Sequence, residues 1–235
     1  MPSLETRKFQ DCKAMLFDFG GTLDSDGEHW LDRFYALYED AGLNVPLDRI
    51  KQAFYSADRT CCIDPEVNSL GLRKLMRRHL RLQFEMLRLN DPKKEERICD
   101  AFCTECESFL RRNARLLHHL RQCYRLGVVS NFYGNVAVLC KEAGLSDFME
   151  VILDSTMIGI EKPDPRIFQL AIRKLNLSPV DIAFVGDSFE RDMVPTRGLD
   201  MKTIWLKGSN PRIPSNAGPV DSVISSLAEL EALIP

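Results

Sequence analysis

No apolar run in this sequence approaches the ~18 residues needed to cross a membrane, and the opening stretch MPSLETRKFQ is polar and charged where a secretory leader carries an apolar segment. No membrane partner and a cytoplasmic location are therefore expected. Positive charge is also in short supply. The 31 Lys and Arg residues are outnumbered by 34 Asp and Glu, leaving a net charge of −3, whereas a chain that grips phosphate backbones presents a basic domain or stripe. Nucleic acid is not expected as a partner. Internal repeats and low-complexity stretches are absent too. Cysteine is not scarce, but eight of them in a chain of cytosolic character read as reduced thiols and predict no structural disulfide. What remains is ordinary globular composition, 45% hydrophobic and 28% charged over 235 residues, enough for one large domain or a core with an insert.

Short apolar runs bounded by turn residues predict strands at KAMLFDF (13–19), LGVVSN (126–131), EVILD (150–154), DIAFVGD (181–187) and MKTIWL (201–206). Helical patterns separate them over 114–125, 134–143, 165–175 and 188–198. Such alternation predicts an α/β fold with a parallel sheet whose ligands lie at the carboxyl ends of the strands. From Asp24 to about Asn113 the strand signals vanish. Apolar residues recur there at helical spacing, as at Leu72, Leu75, Met76, Leu80, Phe84 and Leu87, which predicts an all-helical insert. The segment GSNPRIPSNAGPVD (208–221) reads as a surface loop before a final strand and helix.

Four groups fall at the predicted strand ends: Asp18-Phe19-Gly20-Gly21-Thr22, Ser130-Asn131, Lys162-Pro-Asp-Pro, and Gly186-Asp187 running on to Asp192. A strand-end carboxylate can attack phosphorus, splitting one displacement into two easier steps through an acyl phosphate. Magnesium, bound by Asp18 and Asp187, would shield that carboxylate from the charge of the phosphate. Ser130, Asn131 and Lys162 offer a hydroxyl, an amide and a fixed positive charge to phosphoryl oxygens. Each group alone has a structural explanation, such as a helix cap or a turn. Their joint occurrence in this order is what points to chemistry.

This constellation resembles the haloacid dehalogenase superfamily, with a helical cap inserted directly after the first motif. The resemblance implies a Rossmann-like three-layer core from 1–23 and 114–235, a cap over 24–113, and a substrate cleft between them. It further implies Asp18 as nucleophile, and Ser130 and Lys162 as catalytic residues holding the transferring group. Phe19, Gly20 and Asn131 would contact substrate. Asp18, the backbone carbonyl of Gly20, Asp187 and Asp192 would hold Mg2+. The expected partner is a small phosphorylated metabolite, acted on by a monomer or homodimer.

One position departs from the pattern. Family phosphatases carry an aspartate two residues after the nucleophile as general acid and base, a group contributing typically ~10²–10⁴ in rate; here it is Gly20. Either the leaving group needs no acid, or a neighbour among Asp24, Asp26, Glu28 and His29 replaces it, or turnover is weak. Three readings follow: a magnesium-dependent phosphatase, a nearly inactive binding protein on the same scaffold, and a dehalogenase-type hydrolase. Asp187 and Asp192 speak for a metal and against the last.

Other signals carry less. Cys99, Cys103 and Cys106 share the spacing of an iron–sulfur motif, but the surrounding sequence is an amphipathic helix on which they form one face. The basic run RKLMRRHLRL (73–82) reads as a solvated helix, one or two of whose arginines could face substrate. His118 and His119 are assigned no role.

Overall fold

The first apolar run forms strand β1 (Ala14–Phe17), whose side chains alternate between the two faces of a sheet. Met15 and Phe17 enter one apolar core, Ala14 and Leu16 the other. The computed structural model describes residues 9–209 and 218–234; most of the predicted 208–221 loop and of the polar amino-terminal stretch lies outside them.

Between β1 and the next strand come four helices: α1 (Trp30–Asp40), α2 (Leu47–Ile63), α3 (Leu72–Leu87) and α4 (Pro92–Leu120). Strand β2 (Arg125–Ser130), helix α5 (Val136–Glu142), strand β3 (Met149–Asp154) and helices α6 (Ser155–Ile158) and α7 (Pro165–Leu175) follow. The chain then forms β4 (Ile182–Gly186), α8 (Val194–Arg197), β5 (Lys202–Leu206) and β6 (Ser222–Ile224). All pairings are parallel, in the order β3-β2-β1-β4-β5-β6. Strand order reverses between β1 and β4, and at such a switch point the diverging loops leave a crevice for ligands. Phe17 is in register with Val128 and Val185, so Asp18, Ser130 and Asp187 emerge at one edge. Helix α7, capped by the Asp164 side chain, covers one face with Ile167, Phe168, Ala171 and Leu175. The end of α4 covers the other with Leu116, Leu117 and Leu120. The architecture is thus the expected three-layer α/β core with helices inserted after β1.

Helix α4 differs from expectation. The helix predicted over 114–125 is the last part of one continuous 29-residue helix, because no Gly or Pro interrupts residues 93–120. The expected cap boundary therefore lies inside it, where Asn113 Nδ2 donates to the carbonyl of Leu23 (2.8 Å) and Arg112 makes a two-pronged contact with Asp26 (2.6 and 2.7 Å). The chain leaves the core and returns to it at neighbouring points. The helix predicted over 188–198 also differs: it opens with a wide turn in which the N–H groups of Asp192 and Met193 share the carbonyl of Ser188, and becomes α-helical only at Val194.

Helix α3 buries Leu72, Leu75, Met76, His79, Leu80, Gln83, Phe84 and Leu87, an unbroken stripe at helical spacing. Its arginines point the other way, Arg73 to Glu107 and Arg81 to Glu95 at 2.9 Å each. All eight cysteines are free, and Cys99, Cys103 and Cys106 are buried along α4.

Candidate active site

Asp18 stands at the end of β1 with its Oδ1 accepting the N–H of Phe19 at 2.7 Å. The chain then makes one wide turn, closed by the N–H of Asp24 on the carbonyl of Phe19. Within it Gly21 has φ +83°, and a Cβ there would fall 2.7 Å from Asp187 Oδ2. Only glycine permits both the left-handed backbone and that approach. Thr22 completes the tie between the ends of β1 and β4. Its hydroxyl donates to Asp187 Oδ1 and accepts from the Asp187 N–H, both at 3.1 Å.

Lys162 lies between two of the carboxylates. Its Nζ is 2.8 Å from Asp18 Oδ2 and 2.7 Å from Asp192 Oδ1, and the side chain is almost wholly buried. Burial opposes its charge, but Asp18 and Asp192 outweigh that and raise its pKa. Asn131 fixes the lysine backbone: its Nδ2 donates to the Lys162 carbonyl (2.9 Å) and its Oδ1 accepts the Lys162 N–H (2.7 Å). The amide expected to meet substrate thus also positions Lys162. Ser130 is buried at the end of β2.

One oxygen each from Asp18, Asp187 and Asp192 lies within 4.8 Å of the others. Burial, with Asp18 and Asp192 as negative neighbours, pushes Asp187 up to about 8. Burial likewise pushes Asp192 up to about 6 in spite of Lys162. Three convergent hard oxygens that repel one another form a donor set suited to a hard divalent cation such as Mg2+.

A cavity of about 220 Å³ opens beside this cluster, lined by Asp18, Gly20 and Asn131 from just beyond the ends of β1 and β2 and by Lys162. Lys162 lies not at a strand end, as the sequence suggests, but in the loop between α6 and α7. Ser130, Asp187 and Asp192 do not line the cavity. His29, Asp58, Phe132, Tyr133 and Arg191 contribute to its walls. Phe19 does not line it; its ring packs edge-to-face on Phe132 at 5.4 Å. No arginine of the 73–82 run reaches it either, because their partners are on α4 and the loop before α3. A larger cavity of about 590 Å³, beside Arg73, Glu107 and Glu142, contains none of the clustered carboxylates.

The neighbours considered as replacements for an acid at Gly20 separate clearly. Asp24 is fully buried and turned into the turn itself, accepting from Gly21 N (2.8 Å) and Trp30 Nε1 (2.5 Å). Asp26 is clamped by Arg112, Ser226 and the N–H of Leu227. Glu28 does not line the cavity, while His29 does. The His29 Nδ1 caps α1 by accepting the Leu31 N–H (3.2 Å), and burial with nearby Arg191 lowers its pKa. Its Nε2 is left as a donor, but protonating the ring would break the cap.

The sequence motifs include Thr22 without giving it a role and do not single out Asp58, Tyr133 or Arg191. Tyr133 follows the Ser130-Asn131 pair by two residues, and Arg191 adjoins Asp192; nothing in the local sequence marked Asp58.

Comparison with known proteins agrees with the geometry. The human haloacid dehalogenase-like hydrolase domain-containing protein 3 is 34% identical over 117 residues, 47% of this chain and 47% of that protein. The matched region therefore spans about half the length of that curated relative. The pyrimidine 5'-nucleotidase YjjG of Escherichia coli (strain K12) is 24% identical over 185 residues, 78% of this chain and 81% of that protein. A crystal structure of a dehalogenase with an intermediate complex superposes with a TM-score of 0.65 at 18% identity, covering 96% of this chain and 98% of the other; that likeness concerns the fold alone. The family model of the haloacid dehalogenase-like hydrolases matches residues 12–195, and the chain belongs to that family.

Proposed function

We propose that this hydrolase is a magnesium-dependent phosphatase of a small phosphorylated metabolite, working through an aspartyl-phosphate on Asp18. The observation that carries the reading is Lys162 Nζ held between Asp18 and Asp192 under a small cavity, with Asp187 completing the carboxylate cluster. Asp18 attacks phosphorus, and Lys162 with Ser130 holds the phosphoryl oxygens as charge redistributes in the transition state. Asn131 keeps Lys162 in position through its backbone. Water then attacks the acyl phosphate and frees Asp18. Magnesium, bound by Asp18, Asp187, Asp192 and the backbone carbonyl of Gly20, supplies the positive charge that lets an anionic nucleophile meet an anionic ester. Residues 1–23 and 114–235 act as core and 24–113 as cap, whose closure over the cavity excludes bulk water.

Gly20 leaves no side chain to protonate the leaving group, so this site favours esters and anhydrides whose leaving group is already a weak base. A second reading, a binding protein with slow turnover, has one observation in its favour: Gly20 brings no acid to the cavity, and the side chains beside it, Phe132 and Trp30, supply none. Hydrolysis of acetyl phosphate and p-nitrophenyl phosphate, with and without magnesium, by the wild type and Asp18→Asn separates the two. Turnover that requires both magnesium and Asp18 supports the phosphatase. Its absence in the wild type moves the assignment to binding.

A further inference from the structure

Opposite the catalytic cluster, on α2, Asp58 lines the same cavity with its side chain 24% exposed. Its Oδ1 accepts two hydrogen bonds, one from the hydroxyl of Tyr133 and one from His79 Nε2 at 3.0 Å. The direction of the second is fixed from behind. Tyr38 donates its hydroxyl to Gln83 Oε1 (3.2 Å), so the amide turns its Nε2 toward His79 Nδ1 (2.8 Å). An amide nitrogen only donates, so Nδ1 is the acceptor and the imidazole proton sits on Nε2, aimed at Asp58. Tyr38, His79 and Gln83 are fully buried, where an unpaired polar group is costly. Each has its partner. The relay ends on a carboxylate of fixed orientation whose Oδ2 has no hydrogen-bond partner among the described residues.

The surroundings of Asp58 narrow what that oxygen receives. Phe54 and Tyr55, its neighbours on α2, and Tyr133, its hydrogen-bond donor, line the cavity with it, and Asp18, Glu161, Lys162 and Arg191 are the other charged lining groups. At about 220 Å³ the cavity is smaller than the ~300–1,000 Å³ typical of pockets for drug-sized ligands. A hydroxyl could pair with any polar group. An oriented carboxylate among aromatic faces selects a cationic donor, because ring faces attract cations as well. Resting on the phosphatase reading, we infer that the substrate is a small phosphate ester whose tail carries an ammonium group, and that Asp58 is the residue that recognises this tail.

The test uses two non-hydrolysable probes of matched size, 2-aminoethylphosphonate and propylphosphonate, titrated calorimetrically into the full chain with magnesium. The aminated probe is expected to bind roughly tenfold or more tightly, the range of a hydrogen bond between charged groups, and Asp58→Asn is expected to bring the two affinities together. Equal binding by the wild type overturns the inference, whether or not the variant folds. So does a preference that survives in a folded Asp58→Asn. Acetyl phosphate hydrolysis, run alongside, separates this failure from that of the underlying reading. If acetyl phosphate is hydrolysed while the aminated probe has no advantage, only the assignment of Asp58 falls. If acetyl phosphate is not hydrolysed and neither probe binds, the phosphatase reading falls and takes it along.

Discussion

A Cβ at Gly20 would stand 3.4 Å from Cε2 of Phe132, with Trp30 Nε1 at 3.8 Å on the same side. The backbone of Gly20, at φ −71° and ψ 126°, is open to any residue. A side chain there would lie in van der Waals contact with the aromatic wall, in which Trp30 and Phe132 meet edge to face at 5.3 Å. Gly20→Asp alone is therefore expected to raise kcat/KM on an alkyl phosphate only slightly, whereas Gly20→Asp combined with Phe132→Ala is expected to gain up to the ~10²–10⁴ of a general acid. Rates on glycerol phosphate, normalised to p-nitrophenyl phosphate, check this; equal gains from the single and double variants would contradict it.

Among the described residues, Lys162 supplies the one positive charge in direct contact with Asp18 and Asp192. Removing it leaves buried carboxylates without a counter-charge, a change that costs ~3–5 kcal/mol when a buried pair is broken. Lys162→Met is expected to lose about that much stability in urea titrations with a chelator present. Adding Asp192→Asn to it should restore part of the loss, and a strictly additive double variant would contradict the coupling.

Asp187 opposes folding in the absence of metal, since burial and its carboxylate neighbours raise its pKa. With chelator, Asp187→Asn is expected to melt at a higher temperature than the wild type. With magnesium the order reverses. Ligand at 100 times its Kd stabilises by about 2.7 kcal/mol, or several degrees for a chain of this size, and the variant is expected to lose that increment. Thermal melts with and without magnesium read both arms.

Asp26 carries the acid sensitivity of the joint between α4 and the core. Burial pushes its pKa up, but hydrogen bonds from Arg112, the Leu227 N–H and Ser226 outweigh that and hold it below the usual carboxylate value. A depressed carboxylate stabilises the fold fully above its unfolded value near ~3.9 and loses that contribution as pH falls through the lower folded value. Asp26→Asn is therefore expected to cost about 1–2 kcal/mol at pH 7, a figure discounted for the partial exposure of Arg112. The gap between variant and wild type should close below about pH 4. A gap independent of pH would contradict the ion pair as its source.

The strands were legible because each is a short apolar run that ends in turn chemistry; of the candidate site residues, Asp18, Ser130 and Asp187 stand at or next to strand ends, while Lys162 lies in the loop between α6 and α7. The family resemblance then ordered Asp18, Lys162 and Asp187 into one cluster that no local pattern joins. Helix α4 escaped division because a boundary between core and insert leaves no mark when the helix runs straight through it. His79 and Gln83 occupy stripe positions of α3, next to Leu80 and Phe84, but periodicity marked only the apolar residues of that stripe. What it lacked was their partners: Tyr38 and Asp58 lie on other helices, and polar residues that satisfy one another across helices have no signature along the chain.

The most direct measurement of the central claim is a rapid acid quench of the protein with acetyl phosphate and magnesium, followed by mass analysis of the intact chain and its peptides. A single phosphoryl adduct on Asp18, absent without magnesium and absent in Asp18→Asn, is the expected result. Steady turnover with no adduct at Asp18, or an adduct that persists in Asp18→Asn, would contradict it.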